Sequence, residues 1–555
     1  MSDEHRPEDP TVGSQPEDVE QLQYGKGPGP TELSPPDSFL GHPKGLWVLF
    51  ITEMWERFSY YGMRALLVLY LISSTSDTLA NGDPNTNPGF GWTEDSAYSL
   101  YGWYTWAVYL TPIAGGWLAD KFLGTHRSMI IGAWVISAGH ITLALTELFG
   151  ISAGEAVTMQ SSPGALLTFM LGLFLIVVGT GFFKPCVSVM VGQLYSEGDV
   201  RRDSGFSIFY MGINLGAFLS PLIAGTLGET VGWHWGFGSA AVGMIAGLIT
   251  YQILRPKYLK GIGDPPAKGE VDPATLSPAE KAEHEKKVYE QTRPFVRKDW
   301  ERIAVILVLA FVGNIFFWAA FEQAGTSMNV FAAQQTDRSL YGMMGELGPH
   351  IPAAPEGATA EEIQAIADQR AAVDNEGWFP ATWYQSVNAL TIVIFAPLFG
   401  AMWVWLDKKR LNPSSPMKFA LGLYLLGLAF IAMVFGAIQA EEGGLAAPHW
   451  LFITYVVYTW GELCLSPVGL SLVTKLAPYR LQSLMMGVWF FTFSLANLLA
   501  AQIARISTRL QSGELEFLIP GMPGFYLMLV LGPIAAGVLI MVISPFLKRM
   551  MHGVK

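Results

Sequence analysis

Residues 52–64 read Thr-Glu-Met-Trp-Glu-Arg-Phe-Ser-Tyr-Tyr-Gly-Met-Arg, inside an apolar run from Leu46 to Ile72. Four ionisable side chains, Glu53, Glu56, Arg57 and Arg64, sit where a lipid-spanning helix ordinarily carries none. An ionised group at bilayer depth costs about 3 kcal/mol on insertion scales, so such a segment persists only where its charges face protein or a water-filled cavity. Positions i, i+3, i+4 and i+7 of a helix share a face. Glu53, Glu56, Arg57, Tyr60, Tyr61 and Arg64 therefore form one polar stripe that points inward. Carboxylates there can take up and release protons, and a guanidinium can hold an anion. Lys184, Glu322 and Glu462 are further charges inside apolar runs, with the same implication.

The elements that must position these groups follow from composition and hydropathy. The chain has 555 residues, 51% hydrophobic and only 14% charged, against about 25% charged in soluble domains. Runs of about 20 mostly apolar residues mark membrane spans. Such runs lie near 46–72, 98–119, 128–148, 164–190, 205–228, 233–254, 301–330, 379–406, 417–439, 449–474, 483–507 and 522–547. The expected fold is an all-α membrane protein of twelve transmembrane helices. A charged stretch at 255–300 separates six spans from six. That division implies two six-helix bundles, 46–254 and 301–547, with a site at their interface. Residues 1–45, rich in Pro, Gly, Glu and Asp, are expected to be a disordered acidic tail. Residues 255–300 read as a cytoplasmic linker, 331–377 as a long extracytoplasmic loop and 548–555 as a cytoplasmic C-terminus.

Orientation follows from Lys and Arg in the loops. With the N-terminus inside, the inner segments hold Arg6, Lys26, Lys44, Lys121, Arg127, Arg201, Arg202, the basic residues from Arg255 to Arg302, Lys408, Lys409, Arg410, Lys418, Lys475, Arg480, Lys548, Arg549 and Lys555. The outer segments hold Arg338, Arg370, Arg505 and Arg509. Both termini are thus expected in the cytoplasm of a multi-pass protein of a plasma membrane, a bacterial inner membrane being the reading adopted. Residues 1–45 contain no apolar stretch of about 7–15 residues, so no secretory signal peptide is expected. Cys186 and Cys464, the two cysteines, both fall in apolar segments and are read as core residues, not a disulfide framework or metal ligands. No basic stripe with interleaved aromatics suggests nucleic-acid binding. No His-Glu-x-x-His or Gly-x-Ser-x-Gly motif suggests an enzyme. No cofactor or metal is expected.

Residues 116–127, GWLADKFLGTHR, resemble the loop between the second and third helices of major facilitator transporters. Asp120 at a helix end, with Lys121 and Arg127 nearby, is expected to form a local charge network that latches the helices. More specific is Glu53-x-x-Glu56-Arg57-Phe58-x-Tyr60-Tyr61-Gly62, which resembles the first-helix signature of proton-dependent oligopeptide transporters. Four further segments resemble that family in the expected order: Gly181-Phe182-Phe183-Lys184-Pro185, Phe209 to Ala217, Phe317-Trp318 with Glu322-Gln323, and Gly461-Glu462 with Ser466 to Ser471. Where the family usually has Asn after Lys184-Pro185, this chain has Cys186. Some bacterial members insert two helices between the halves. No apolar run supports them here, so twelve spans are expected.

The resemblance implies the major facilitator fold and a symporter that imports di- and tripeptides with protons by alternating access. A short peptide is a zwitterion. Its carrier needs a cation for the carboxylate, an anion for the ammonium, amide partners and roomy apolar pockets. By resemblance, Arg64 and Lys184 attract the peptide carboxylate and Glu462 the ammonium. Asn214 and Asn388 bond the backbone, and Tyr60, Tyr61, Tyr109, Trp318 and Trp489 line the pockets. Glu53, Glu56, Arg57 and Glu322 couple the proton, because burial raises a carboxyl's pKa while a neighbouring cation lowers it. Glu322 is expected to face Arg64 across the halves, and Lys184 with Glu462 to form a second gate. The expected partners are the peptide, protons and the lipid bilayer, with the monomer as the working unit. A transporter of nitrate or a drug-like solute in the same superfamily remains the alternative. Pro185, Pro221, Pro397 and Pro467 interrupt apolar runs; each removes a backbone hydrogen bond, which serves a bending gate or a static kink equally.

Overall fold

The computed structural model describes residues 38–74, 87–149, 162–195, 199, 201–264, 289, 292–339 and 379–554. Among them are twelve long helices: α1 (Lys44–Ile72), α2 (Glu94–Leu118), α3 (Thr125–Ala144), α4 (Pro163–Gln193), α5 (Arg202–Ser220), α6 (Trp233–Tyr258), α7 (Arg297–Gln334), α8 (Trp383–Lys408), α9 (Ser415–Gly443), α10 (His449–Leu476), α11 (Gln482–Gln511) and α12 (Gly521–Met550). A helix of 29 residues such as α1 is about 44 Å long at 1.5 Å per residue, enough to cross a hydrocarbon core of about 30 Å. Ten of the twelve are long and apolar enough to span a membrane by composition alone. The other two are α1, with its buried charges, and α2, rich in Tyr, Trp and Gly.

Several helices are broken where the sequence removes or redirects a backbone bond. Pro185, Pro397 and Pro467 lie inside α4, α8 and α10. Pro221 opens a π-helical turn, Pro221–Gly225, which with a second one, Leu227–Val231, prolongs α5. In α7 a π-helical stretch, Leu309–Asn314, and a tight 3-10 turn, Glu322–Gly325, interrupt the α geometry. Such local changes in helical pitch recur at functional sites.

Helices α1–α6 pack on one another, as do α7–α12, and the two bundles meet through α2 against α11 and α5 against α8. Small residues let the helices close. In the α3–α4 contact a methyl group at Gly132 would lie 2.6 Å from Gly179 O, and one at Gly139 would lie 2.8 Å from Gly172 O. In lipid such close backbone approach drives helix association where the hydrophobic effect does not.

The helix ends that include Lys44, Leu118 and Tyr258 form the terminal end of the molecule; those that include Ile72, Glu94 and Trp383 form the distal end. The bridges between the bundles gather in the distal half. Asn329 Nδ2 donates to Ala65 O at 2.8 Å, Ser494 Oγ to Trp106 O at 2.8 Å, Ser386 Oγ to Phe218 O at 2.8 Å, and Arg505 pairs with Asp95 at 2.7 Å. One apolar core runs from the first bundle's distal half into the second bundle, while Leu46, Met129, Phe183, Met190 and Leu248 belong to a separate core at the terminal half of the first.

Four expectations change. Within the segment 1–45, Ser38–Phe39 and His42–Pro43 form a two-stranded hairpin and α1 starts at Lys44. The hairpin is anchored because His42 Nδ1 and Tyr195 OH lie 2.8 Å apart; residues 1–37 lie outside the described residues. In the 116–127 loop Asp120 makes no ion pair within 4.0 Å among the described residues. Lys121 instead lies over the Trp117 and Phe122 rings, 5.2 and 5.5 Å from their centroids, where its stem stays apolar and its charge gains the ring quadrupole. The loop 331–377 contributes the last turn of α7 and residues to Ser339, and 340–378 lie outside the described residues. The linker likewise shortens: α6 continues to Tyr258, α7 begins at Arg297, and 265–288 lie outside the described residues.

Candidate functional site

A cavity of about 230 Å³ lies between the bundles, room for about eight waters at about 30 Å³ each. The first bundle lines it with Tyr61 and Arg64 of α1, Tyr109 of α2, and Tyr210, Ile213, Asn214 and Ala217 of α5. The second bundle adds Trp318, Phe321 and Glu322 of α7, Gln385, Asn388 and Ile392 of α8, Tyr455, Tyr458, Glu462 and Ser466 of α10, and Phe493 of α11.

Arg64 and Glu322 close one side. Arg64 Nη2 pairs with Glu322 Oε2, and both side chains are under a tenth exposed. Arg64 Nε donates to Tyr101 OH at 2.6 Å, and its guanidinium carbon lies 5.9 Å from the centre of the Tyr61 ring. The pair sits at the tight turn of α7. A methyl group at Gly325 would overlap Tyr101 OH, so glycine is what lets α7 come this close. A buried ion pair is costly to form and costlier to half-break. Removing one partner's charge therefore biases the contact between bundles strongly.

About two turns toward the terminal end, Arg57 Nε donates to Glu53 Oε1 at 2.8 Å. Glu56 Oε2 lies 2.6 Å from the same nitrogen but forms no hydrogen bond with it. That nitrogen has one hydrogen, and Glu53 takes it. Glu56 Oε2 is thus a buried carboxylate oxygen with a charge beside it and no donor. None of these three lines the cavity.

On the second bundle's wall Asn388 Nδ2 donates to Glu462 Oε2 and Thr459 Oγ1, each at 2.9 Å. Trp318 Nε1 donates to Asn314 Oδ1 at 2.9 Å, and Asn314 Nδ2 to Thr492 Oγ1 at 2.8 Å. The indole is thereby held against Phe493, with ring centroids 5.1 Å apart. Phe493 also stacks on Tyr109 across the bundles, centroids 6.3 Å apart and planes 14° from parallel.

Of the residues singled out in the sequence, the cavity gathers Tyr61, Arg64, Tyr109, Asn214, Trp318, Glu322, Asn388 and Glu462. It does not gather Tyr60, Lys184 or Trp489. Tyr60 is buried beside the acidic cluster, its ring 5.8 Å from the Arg57 guanidinium carbon. Trp489 is 1% exposed in the second bundle's core, edge-on to Phe419 and in contact with Gly469. Lys184 Nζ lies 3.9 Å from the Tyr109 ring centre and makes no ion pair within 4.0 Å among the described residues. The expected Lys184–Glu462 gate is therefore not formed here. Asn214 Nδ2 is bonded to Tyr210 O of its own helix at 2.9 Å. The sequence reading missed Tyr210, Gln385, Tyr455, Tyr458, Ser466 and Phe493. Tyr210 and Ser466 lie inside segments that carried the family resemblance; the others had no local signal.

Comparison with known proteins finds relatives over nearly the whole chain. The sequence profile of the POT family matches residues 126–271 and 367–517. The peptide transporter YePEPT of Yersinia enterocolitica is 34% identical over 93% of this chain and 96% of its own. The di-/tripeptide transporter of Lactococcus lactis subsp. cremoris is 34% identical over 92% of this chain and 97% of its own. The crystal structure of a peptide transporter in complex with alafosfalin superposes with a TM-score of 0.71 at 34% identity, covering 93% of this chain and 97% of that one. Matches of this length, on a twelve-helix frame in two six-helix bundles, make this multi-pass membrane protein a member of the POT family with the major facilitator fold.

Proposed function

We propose that the protein is a proton-coupled symporter that imports di- and tripeptides by alternating access. The observation that carries this reading is the charge arrangement of the cavity. A cation–carboxylate pair, Arg64–Glu322, spans the bundles at one side, an amide–carboxylate pair, Asn388–Glu462, lies on the second bundle, and aromatic walls stand between. A zwitterion has a carboxylate to compete for Arg64 and an ammonium to pair with Glu462. The aromatic walls accept varied side chains without demanding one shape.

Two events release the distal pair. A proton on Glu322 removes its charge, and a peptide carboxylate at Arg64 replaces it. Glu56, with an oxygen that lacks a donor, offers the buried acceptor from which a proton is passed on, with Arg57 and Glu53 balancing its charge. Lys184, without an ion pair among the described residues, is available to a peptide carboxylate or to Glu462 when the terminal side closes.

The Lys and Arg asymmetry supports a cytoplasmic terminal end, with both termini there, in a plasma membrane such as the bacterial inner membrane. The distal end then faces outside and is closed in this structure. The cavity is enclosed by the helices of one chain, which supports a working monomer, and no covalent chemistry is called for. The driving force is adequate: one charge crossing 100 mV supplies about 2.3 kcal/mol, and about 1.36 kcal/mol is tenfold, so one proton supports roughly fifty-fold accumulation of a neutral peptide.

The test is uptake of labelled dialanine into proteoliposomes with an inside-negative potential and an acidic exterior. Uptake that needs the gradient and is competed by other di- and tripeptides is expected. Absence of both entry and competition would reject the peptide reading and leave nitrate and other small solutes to be tried.

A further inference from the structure

Glu229 sits in the second π-helical turn beyond α5, at the distal end of the first bundle. Its side chain is only 7% exposed. Glu229 Oε1 accepts the Thr382 backbone N–H at 3.0 Å and the Thr382 hydroxyl at 2.7 Å. Glu229 Oε2 accepts the Ala381 N–H at 2.9 Å and Arg338 Nη1 at 3.4 Å. All four donors belong to the second bundle.

Thr382 is the capping residue of α8, yet its side chain makes no capping bond within its own helix. The leading N–H groups of a helix lack intrahelical partners and carry the positive end of its dipole. Here the anion at that end comes from the other bundle and takes the N–H groups of the cap residue Thr382 and of Ala381 before it. The N–H groups of Trp383, Tyr384 and Gln385 turn to the carbonyls of Pro380, Ala381 and Thr382. The hydroxyl that would ordinarily cap α8 is turned toward that anion. The surroundings are shaped for the contact. A methyl group at Gly225 would overlap Thr382 Oγ1. Trp383 Nε1 donates to Thr226 Oγ1 at 2.8 Å. Arg338 also donates to Phe379 O at 3.1 Å and Ala333 O at 3.2 Å, tying the end of α7 to the lead-in of α8.

We propose that Glu229 is a second distal latch: an inter-bundle helix cap that sets how strongly the resting protein favours the closed distal face. The proposal rests on the alternating-access reading above. Any motion that parts the bundles at this end breaks all four bonds together, because the acceptor moves with one bundle and every donor with the other. Glu229 does not line the cavity, so a bound peptide cannot exchange with it as it can with Arg64–Glu322. The two contacts divide the work. The Arg64–Glu322 pair responds to ligand and proton, while the Glu229 cap supplies a constant bias toward closure.

The test measures opening directly. In a background with Cys186→Ala and Cys464→Ala, nitroxide labels are placed at Leu148→Cys and Leu518→Cys, exposed positions at the distal ends of the first and second bundles. Their separation is read by pulsed electron resonance in nanodiscs, without peptide or gradient. The parent is expected to show mainly the short distance. Glu229→Gln is expected to raise the ratio of long to short distances about tenfold, equivalent to about 1.4 kcal/mol. Thr382→Val, which removes only the hydroxyl, is expected to shift it in the same direction by less. Distance distributions of both variants superimposable on the parent would overturn the latch. Should Glu229→Gln fail to assemble, Thr382→Val alone decides, an unchanged distribution again overturning the proposal. Because no substrate enters the measurement, failure of the peptide reading shows separately, in the dialanine assay.

Discussion

Arg64 on α1 and Glu322 on α7 lie 258 positions apart in the chain and meet as a buried ion pair that joins the two bundles, with Tyr101 holding the guanidinium from α2. The pair borders the cavity and also the closed distal contact. It is therefore placed to convert occupancy of one into opening of the other.

Glu322→Gln removes the charge and keeps the shape. It is expected to abolish gradient-driven uptake of dialanine while leaving exchange of peptide across the membrane largely intact. Counterflow in proteoliposomes checks this. Loss of counterflow as well would assign Glu322 to binding or folding.

Tyr101→Phe leaves Arg64 Nε without its acceptor at a buried site. An unsatisfied buried polar group costs about 1–3 kcal/mol. The variant is expected to melt several degrees lower in detergent, and to do so less in a Glu322→Gln background, where the pair it supports is already lost. A double-mutant comparison of melting temperatures checks this.

Glu462 accepts from Asn388 and is, beside Glu322, a cavity carboxylate of the second bundle. If it receives the peptide ammonium, N-acetylated dialanine should compete at least tenfold more weakly than dialanine. Glu462→Gln should remove most of that difference by weakening dialanine alone. Equal loss for both ligands would place the ammonium elsewhere.

Trp489 and Phe493 separate packing from recognition within one helix. Trp489→Ala is expected to cost about 3–5 kcal/mol of stability, as large core truncations do, with peptide affinity of the folded protein little changed. Phe493→Ala, at the cavity, is expected to weaken peptide binding with a smaller loss of stability. Thermal unfolding together with equilibrium peptide binding distinguishes the two.

What could be read in the chain alone was set by the bilayer. Lipid penalises every charge in a span, so Glu53, Glu56, Arg57, Arg64, Lys184, Glu322 and Glu462 stand out in sequence as residues that must have buried partners or water. The same penalty makes apolar runs countable, which is why twelve helices and their division into six and six were legible. Proximity to chain neighbours is also a local property: Glu53 and Arg57 one helical turn apart are bonded as their spacing requires.

Tertiary structure decided everything that depends on the rotation of a helix about its axis and on which helix it meets. An aromatic side chain suits lipid, core and cavity alike, so its type says nothing about which it faces. Tyr210, Tyr455, Tyr458 and Phe493 line the cavity while Tyr60 and Trp489 pack away from it. Polar pairs of long sequence separation are set the same way. Asn388 meets Glu462, whereas Lys184 in this conformation lies over the face of Tyr109. Glu229 falls between the expected spans 205–228 and 233–254, where nothing in the sequence marks it. Only the docking of α5 on α8 turns it into the cap of another bundle's helix, because a backbone N–H carries no signature in the residue type that bears it.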